Sequence, residues 1–272
     1  MSSLKSRTIT SVYFVLLMLI SILWSPYVFA FVFLIVTIMA LLEYYHHLKS
    51  LNISAFTYTA LVSGSSIYCL IALIANKILP SDLVVLIIPL LFIVLIAGLY
   101  QFGSSSFSGI VYTIFGIIYI AIPFAMLNLF YNPRFLKPES SYELLLGYFI
   151  ILWIYDSAAY LLGSRFGKHK LVSGISPNKS WEGLLGGFIF GLAASIGVSY
   201  FFNIYSLKDW FIIALILIIT GTLGDLFESV IKRNLGVKDT GNILPGHGGI
   251  LDRFDAVLFS APFVYFYVYL IQ

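Results

Sequence analysis

Apolar runs long enough to form membrane spans follow one another along almost the whole chain, separated by short polar stretches. A helix needs about 20 mostly apolar residues to cross a hydrocarbon layer of about 30 Å. Within that layer a backbone must satisfy its own polar groups, so such runs become helices rather than open strands. Nine runs qualify, at 8–24, 27–42, 55–78, 83–99, 110–130, 144–164, 183–202, 210–230 and 256–271. They predict an all-α, polytopic integral membrane protein with nine spans. The first two runs meet at Ser25-Pro26, where the proline favours a break. Composition agrees: 60% of residues are hydrophobic and 10% charged, against about 25% charged in soluble domains. The 19 Tyr and 24 Phe suit membrane interiors and interfaces.

The basic residues give an orientation. With the N-terminus inside and the sides alternating, Lys77, Arg134, Lys137 and Lys208 fall outside and the other eleven of the fifteen Lys and Arg fall inside. The positive-inside rule then favours an inside N-terminus, an outside C-terminus and an odd number of spans. Compactness without extra domains points to a bacterial-type protein of the cytoplasmic membrane. Two inside loops, 165–182 and 231–255, carry eight of those eleven basic residues. The chain divides softly into a plain hydrophobic region, 1–141, read as scaffold, and a polar-studded region, 142–272, read as catalytic. No cleavable signal peptide is evident after Lys5 and Arg7. The single Cys69 excludes an internal disulfide framework and any Cys-rich metal site. A net charge of +3 argues against a nucleic-acid partner, and the absence of a Walker A pattern argues against a P-loop nucleotide site.

Four polar constellations carry the chemistry. Asp225, Glu228, Ser229 and Lys232, followed by Arg233, recur at intervals of three and four and so share one helix face. Two carboxylates in succession on a span are poorly explained by packing, since intramembrane charges are costly. The stretch from Lys238-Asp239 through His247-Gly248-Gly249 to Asp252-Arg253-Phe254-Asp255 combines glycines with acids and bases. Glycines let backbone N–H groups approach an anion, carboxylates suit Mg²⁺, and Lys and Arg suit phosphate. That combination describes Mg²⁺-assisted phosphoryl or nucleotidyl transfer. Ser176-Pro177-Asn178-Lys179-Ser180-Trp181-Glu182-Gly183 opens the seventh span with basic and hydroxyl groups at a helix start. Gly183, Gly186 and Gly187 also suit close helix packing. Asp156, with Tyr160 and Gly163 on the same face, calls for a partner or a polar cavity in the sixth span. His46 and His47, with Glu43 and Lys49, read as interfacial residues, and Tyr265, Tyr267 and Tyr269 as a packing series.

Ser229, Lys232-Arg233, Lys238-Asp239, Pro245, His247-Gly248-Gly249 and Asp252-Arg253-Phe254-Asp255 together resemble the signature of the phosphatidate cytidylyltransferases, or CDP-diacylglycerol synthases. The blocks Asp156–Tyr160 and Ser176–Gly183 are similar to that family too, with Asn178 where Lys is common and Ser180 where Thr is common. The resemblance is strong over 156–255, whereas the first half matches only in hydrophobic layout. It implies a membrane enzyme that uses CTP and phosphatidate with Mg²⁺ to make CDP-diacylglycerol and pyrophosphate for phospholipid synthesis. A second cation and a homodimer stay open.

Under this reading Asp225 and Asp252 are the first choices as Mg²⁺ ligands, with Glu228 and Asp255 behind them. Lys232, Arg233, Lys238 and Arg253 hold phosphates, and Asp239 belongs to the catalytic set. Lys179 and Ser180 bind the lipid phosphate or the triphosphate. Ser176, Glu182 and Ser229 join the substrate-binding set, His247-Gly248-Gly249 line the nucleotide pocket, and Asp156 completes the cavity. A related membrane nucleotidyltransferase acting on another lipid phosphate, such as an archaeal-type lipid, is the nearest alternative. An ion-coupled transporter is the alternative from a different class. The Asp-Gly pattern of CDP-alcohol phosphotransferases is absent.

Overall fold

The structure is a computed structural model. It describes residues 2–51, 53, 55–100, 106–132, 141–234, 236 and 248–271. Helix α1 (Ser2–Trp24) ends where the sequence break was expected. Ser25 is extended, and its hydroxyl accepts from Tyr27 N at 3.2 Å, which caps α2 (Pro26–Ser50) with Pro26 in its first turn. Next come α3 (Thr57–Ala75), a 3₁₀ turn at Ser81–Leu86 and α4 (Ile87–Tyr100). The fifth span is composite: α5 (Ser106–Gly116), a π-helical turn at Ile117–Ala121, then α6 (Ile122–Leu129). Pro123 has no N–H, and its ring would strike the carbonyl four residues back, at Tyr119. The wider π turn absorbs that conflict.

Helix α7 (Glu143–Phe166) leads into strands β1 (Lys170–Val172) and β2 (Ser176–Ser180). The strands pair antiparallel, Lys170 opposite Ser180 and Val172 opposite Ser176. This hairpin qualifies the all-α expectation, since the 165–182 segment is an ordered ribbon. Helices α8 (Trp181–Phe201), α9 (Leu207–Asn234) and α10 (Leu251–Ile271) complete the chain. Among the described residues, eight helices are long and apolar enough to cross a membrane, and Val12–Trp24 is a shorter apolar helix. The first turn of α10 reaches back to Leu251. Asp252, Arg253 and Asp255 therefore sit on a helix, where the 231–255 reading placed a loop.

Small residues set two close crossings. A Cβ on Gly183 would meet Ala159 O at 2.8 Å and Gly163 Cα at 3.0 Å, so α7 and α8 touch backbone to backbone. A Cβ on Gly224 would meet Asp255 O and Phe259 Cβ, each at 2.6 Å, which brings α9 against α10 beside Asp225 and Asp255. The N-terminal helices close over the start of α10. Phe254 meets Phe14, Phe33 and Phe124 edge-on, with ring centroids 5.6, 5.7 and 5.2 Å away. At the opposite end, Tyr267 donates to Asp209 at 2.9 Å and ties α10 to the first turn of α9.

Candidate active site

The charged side chains gather where the end of α9, the start of α10 and the hairpin come together. Lys232 lies one helical turn beyond Glu228 and bridges it, at 2.6 Å, to Asp252 on α10, at 2.8 Å. The three side chains are largely enclosed: Glu228 is 4% exposed, Asp252 11% and Lys232 17%. Asp252 also reaches back to accept from Gly249 N at 2.8 Å. Gly248 has φ +84°, and a Cβ there would sit 2.7 Å from Asp252 Oδ2, so the residue must be both left-handed and small. On the other flank Lys179 from β2 forms an ion pair with Asp225. Asp255 lies within electrostatic reach of Asp225, Glu228 and Asp156, and Asp156 within reach of Asp225 and Lys179.

The i, i+3, i+7 reading of Asp225, Glu228 and Lys232 as one face of a helix matches this arrangement. Ser229 is half-buried on α9, while Arg233 and Arg253 are exposed at the ends of their helices. Ser176 is half-buried at the first position of β2. Ser180 accepts from Gly183 N at 3.2 Å and so caps α8. Glu182 accepts from Lys168 N at 3.1 Å and from His169 N at 3.2 Å, and it pairs with His169 Nδ1 at 2.6 Å. Its carboxylate thus fastens the root of the hairpin to α8. Lys238, Asp239 and His247 lie outside the described residues.

A cavity of about 390 Å³ opens beside the Lys179–Asp225 pair, between α7, α8 and the hairpin. Tyr155, Tyr160, Lys170, Asn178, Lys179 and Ser180 are among its lining residues. Tyr155 and Thr222 share a hydrogen bond on its wall. Among the described residues, two buried oxygens near the acids find no hydrogen-bond partner, Glu228 Oε1 and Tyr119 Oη. Tyr119 belongs to the π-helical turn of the first half, packs on Phe227 and lies within electrostatic reach of Asp225, Glu228 and Asp255. Buried polar groups are normally satisfied, and such open valences are where a ligand completes a site. Nothing in the apolar run around Tyr119 marks it beforehand. A second residue missed from sequence is Glu43 of α2, which accepts from the backbone at the start of α10.

Among the described residues no three His, Cys, Asp or Glu groups converge on a single point. Mg²⁺ does not require such a cage, because it is commonly held by one or two carboxylates together with substrate phosphates. The hard oxygens of Asp225, Glu228, Asp252 and Asp255, with Glu228 Oε1 unpartnered, suit that mode.

Fold and site together define a polytopic, helical membrane protein whose acids and lysines converge at one end of the bundle. The chain belongs to the cytidylyltransferase family, whose model matches residues 5–271. It is similar to proteins named phosphatidate cytidylyltransferase from Staphylococcus aureus (strain COL), 40% identical, and Staphylococcus haemolyticus (strain JCSC1435), 41% identical. The same name belongs to a relative from Staphylococcus epidermidis (strain ATCC 35984), 37% identical. Each match runs over 178 residues and covers 65% of this chain and 65% of the relative's length.

Proposed function

We propose that this chain is a phosphatidate cytidylyltransferase, forming CDP-diacylglycerol and pyrophosphate from CTP and phosphatidate in a bacterial cytoplasmic membrane. The observation that carries the reading is the interleaving of acids on α9 and α10 with Lys179 and Lys232 at one end of the bundle. Membership of the cytidylyltransferase family and the names of the Staphylococcus proteins support it.

The phosphatidate phosphate is already an anionic nucleophile and needs no strong base. One of its oxygens attacks the α-phosphorus of CTP, a new P–O bond forms, and the bond to the β-phosphate oxygen breaks to release pyrophosphate. The difficulty is repulsion between two polyanions, so catalysis rests on positioning and charge neutralisation. Lys179, at the mouth of the cavity beside Asp225, holds the incoming lipid phosphate, and the acyl chains stay in the bilayer. Lys232, Arg233 and Arg253 face the triphosphate. The backbone of Gly248 and Gly249 lines the nucleotide side. Asp225 and Asp252 would hold Mg²⁺, with Glu228 and Asp255 supporting them. When bound, Mg²⁺ neutralises the phosphate oxygens and favours the leaving pyrophosphate. The site faces the cytoplasm, where CTP is available.

The test is turnover by detergent-purified protein given CTP, phosphatidate and Mg²⁺, following both products, with Asp252→Asn beside the parent. Equal yields of CDP-diacylglycerol and pyrophosphate, lost in EDTA and in the variant, are expected. A folded parent that forms neither product, or an Asp252→Asn protein of near-normal activity, overturns the reading.

A further inference from the structure

The N-terminal half contributes a buried carboxylate to the catalytic end of the bundle. Glu43 lies in the last third of α2 and is 5% exposed. Its Oε2 accepts from Ile250 N at 2.8 Å and its Oε1 from Leu251 N at 3.3 Å, across more than 200 residues of sequence. These N–H groups open α10, where helix geometry leaves donors without partners and the helix dipole favours a negative charge. A residue on a distant helix, rather than a local Ser or Asp, therefore caps the catalytic helix. The next residue along is Asp252, whose carboxylate is held on one side by Gly249 N and on the other by Lys232.

Glu43 itself stands on a fixed support. The adjacent Tyr44 and Tyr45 are buried, and Tyr45 Oη donates to Thr113 O at 2.7 Å. Two residues past Asp252, Phe254 is wedged among the rings of α1, α2 and α6.

We propose that Glu43 is a positioning residue of the active site. By gripping Ile250 and Leu251 it sets where Asp252 stands relative to Lys232, and so joins the first half of the chain to catalysis. The proposal rests on the transferase reading for its kinetic consequences and on the two hydrogen bonds alone for its structural ones. Displacements on the ångström scale in a catalytic group can cost about 100-fold in rate. Charge and reach both matter. Glutamine keeps the length but presents an amide donor to one of the two N–H groups, and aspartate keeps the charge but falls short of them.

The experiment compares full-length parent, Glu43→Gln, Glu43→Asp and Glu43→Ala in detergent, with Asp209→Asn as a control that loosens the far end of the same helix pair. The kcat and the KM for CTP are measured with thermal unfolding and amide hydrogen exchange at residues 250–252. Expected is a kcat about 10- to 100-fold lower for Ala and Asp and a smaller loss for Gln. KM for CTP should stay within about 3-fold, and exchange at 250–252 should quicken in the order of the kcat losses. Asp209→Asn should lower the unfolding temperature with kcat unchanged. Folded Glu43→Gln and Glu43→Ala proteins with parental kcat and parental exchange overturn the proposal. So does a loss of kcat that merely follows the folded fraction, as any weakened packing would produce. Should Ala fail to fold, Gln decides, because it preserves the side-chain volume. A parent that lacks the proposed turnover refutes the functional reading, while exchange at 250–252 still decides whether Glu43 holds the helix.

Discussion

Lys232 stands between two enclosed carboxylates from different helices, Glu228 and Asp252. Removing one member of such a set leaves like charges facing each other away from water, which costs about 3–5 kcal/mol. Lys232→Met should therefore lower the thermal unfolding temperature markedly as well as abolish turnover, whereas Arg233→Met, at an exposed position, should leave the unfolding temperature nearly unchanged. Gly248→Ala meets two penalties at once, a left-handed φ and a Cβ 2.7 Å from Asp252 Oδ2. A loss of about 1–3 kcal/mol in denaturant titrations, with impaired turnover, is expected. At this scale the sequence discloses whatever is local. The spacing of Asp225, Glu228 and Lys232 places them on one face without any structure. Long-range partners leave no such trace. Nothing near Lys179 announces Asp225, and Glu43, followed by two histidines and a lysine, looks like any acid at a membrane interface.

Elements show the same division. Hydrophobic length reveals the spans, and Ser25-Pro26 reveals the break between α1 and α2. The π turn in the fifth span stays hidden because its cause, Pro123, sits in an otherwise uniform apolar run. The hairpin stays hidden because its two strands are only three and five residues long, too short to show an alternating pattern. The glycines that read as a packing surface do serve as one: a Cβ on Gly187 would come within 2.7 Å of the Tyr155 ring. Gly187→Leu should push α7 and α8 apart and destabilise by about 1–3 kcal/mol, measured by thermal unfolding. The hairpin depends on Glu182, which binds both His169 and the backbone of Lys168. With Glu182→Ala the cavity wall that carries Lys170 and Lys179 should loosen. Hydrogen exchange over 168–180 should then quicken, and KM for phosphatidate should rise more than KM for CTP.

The whole molecule has two distinct ends, and the helix lengths say how they fit a bilayer. From Asp209 to Lys232 along α9 is about 35 Å at 1.5 Å per residue, slightly more than the ~30 Å of hydrocarbon. If the Asp209–Tyr267 end sits at one interface, Asp225 and Glu228 approach the opposite one and Lys232 emerges beyond it. The costly charges of α9 then lie near water rather than at the membrane centre, and Asp156 on α7 has Lys179 within electrostatic reach. The count of basic residues leads to the proposal that the Lys232 end faces the cytoplasm. This orientation can be tested with single cysteines in a Cys69→Ser background, placed at the exposed Lys168 beside the hairpin and the exposed Lys208 beside Asp209. In intact cells a membrane-impermeant maleimide should label Lys208→Cys, and it should label Lys168→Cys only after permeabilisation. The reverse pattern would turn the molecule over and put the proposed active site on the side away from CTP. Labelling of both positions in intact cells would mean that the two ends do not face opposite sides, contrary to the bilayer-spanning length of α9.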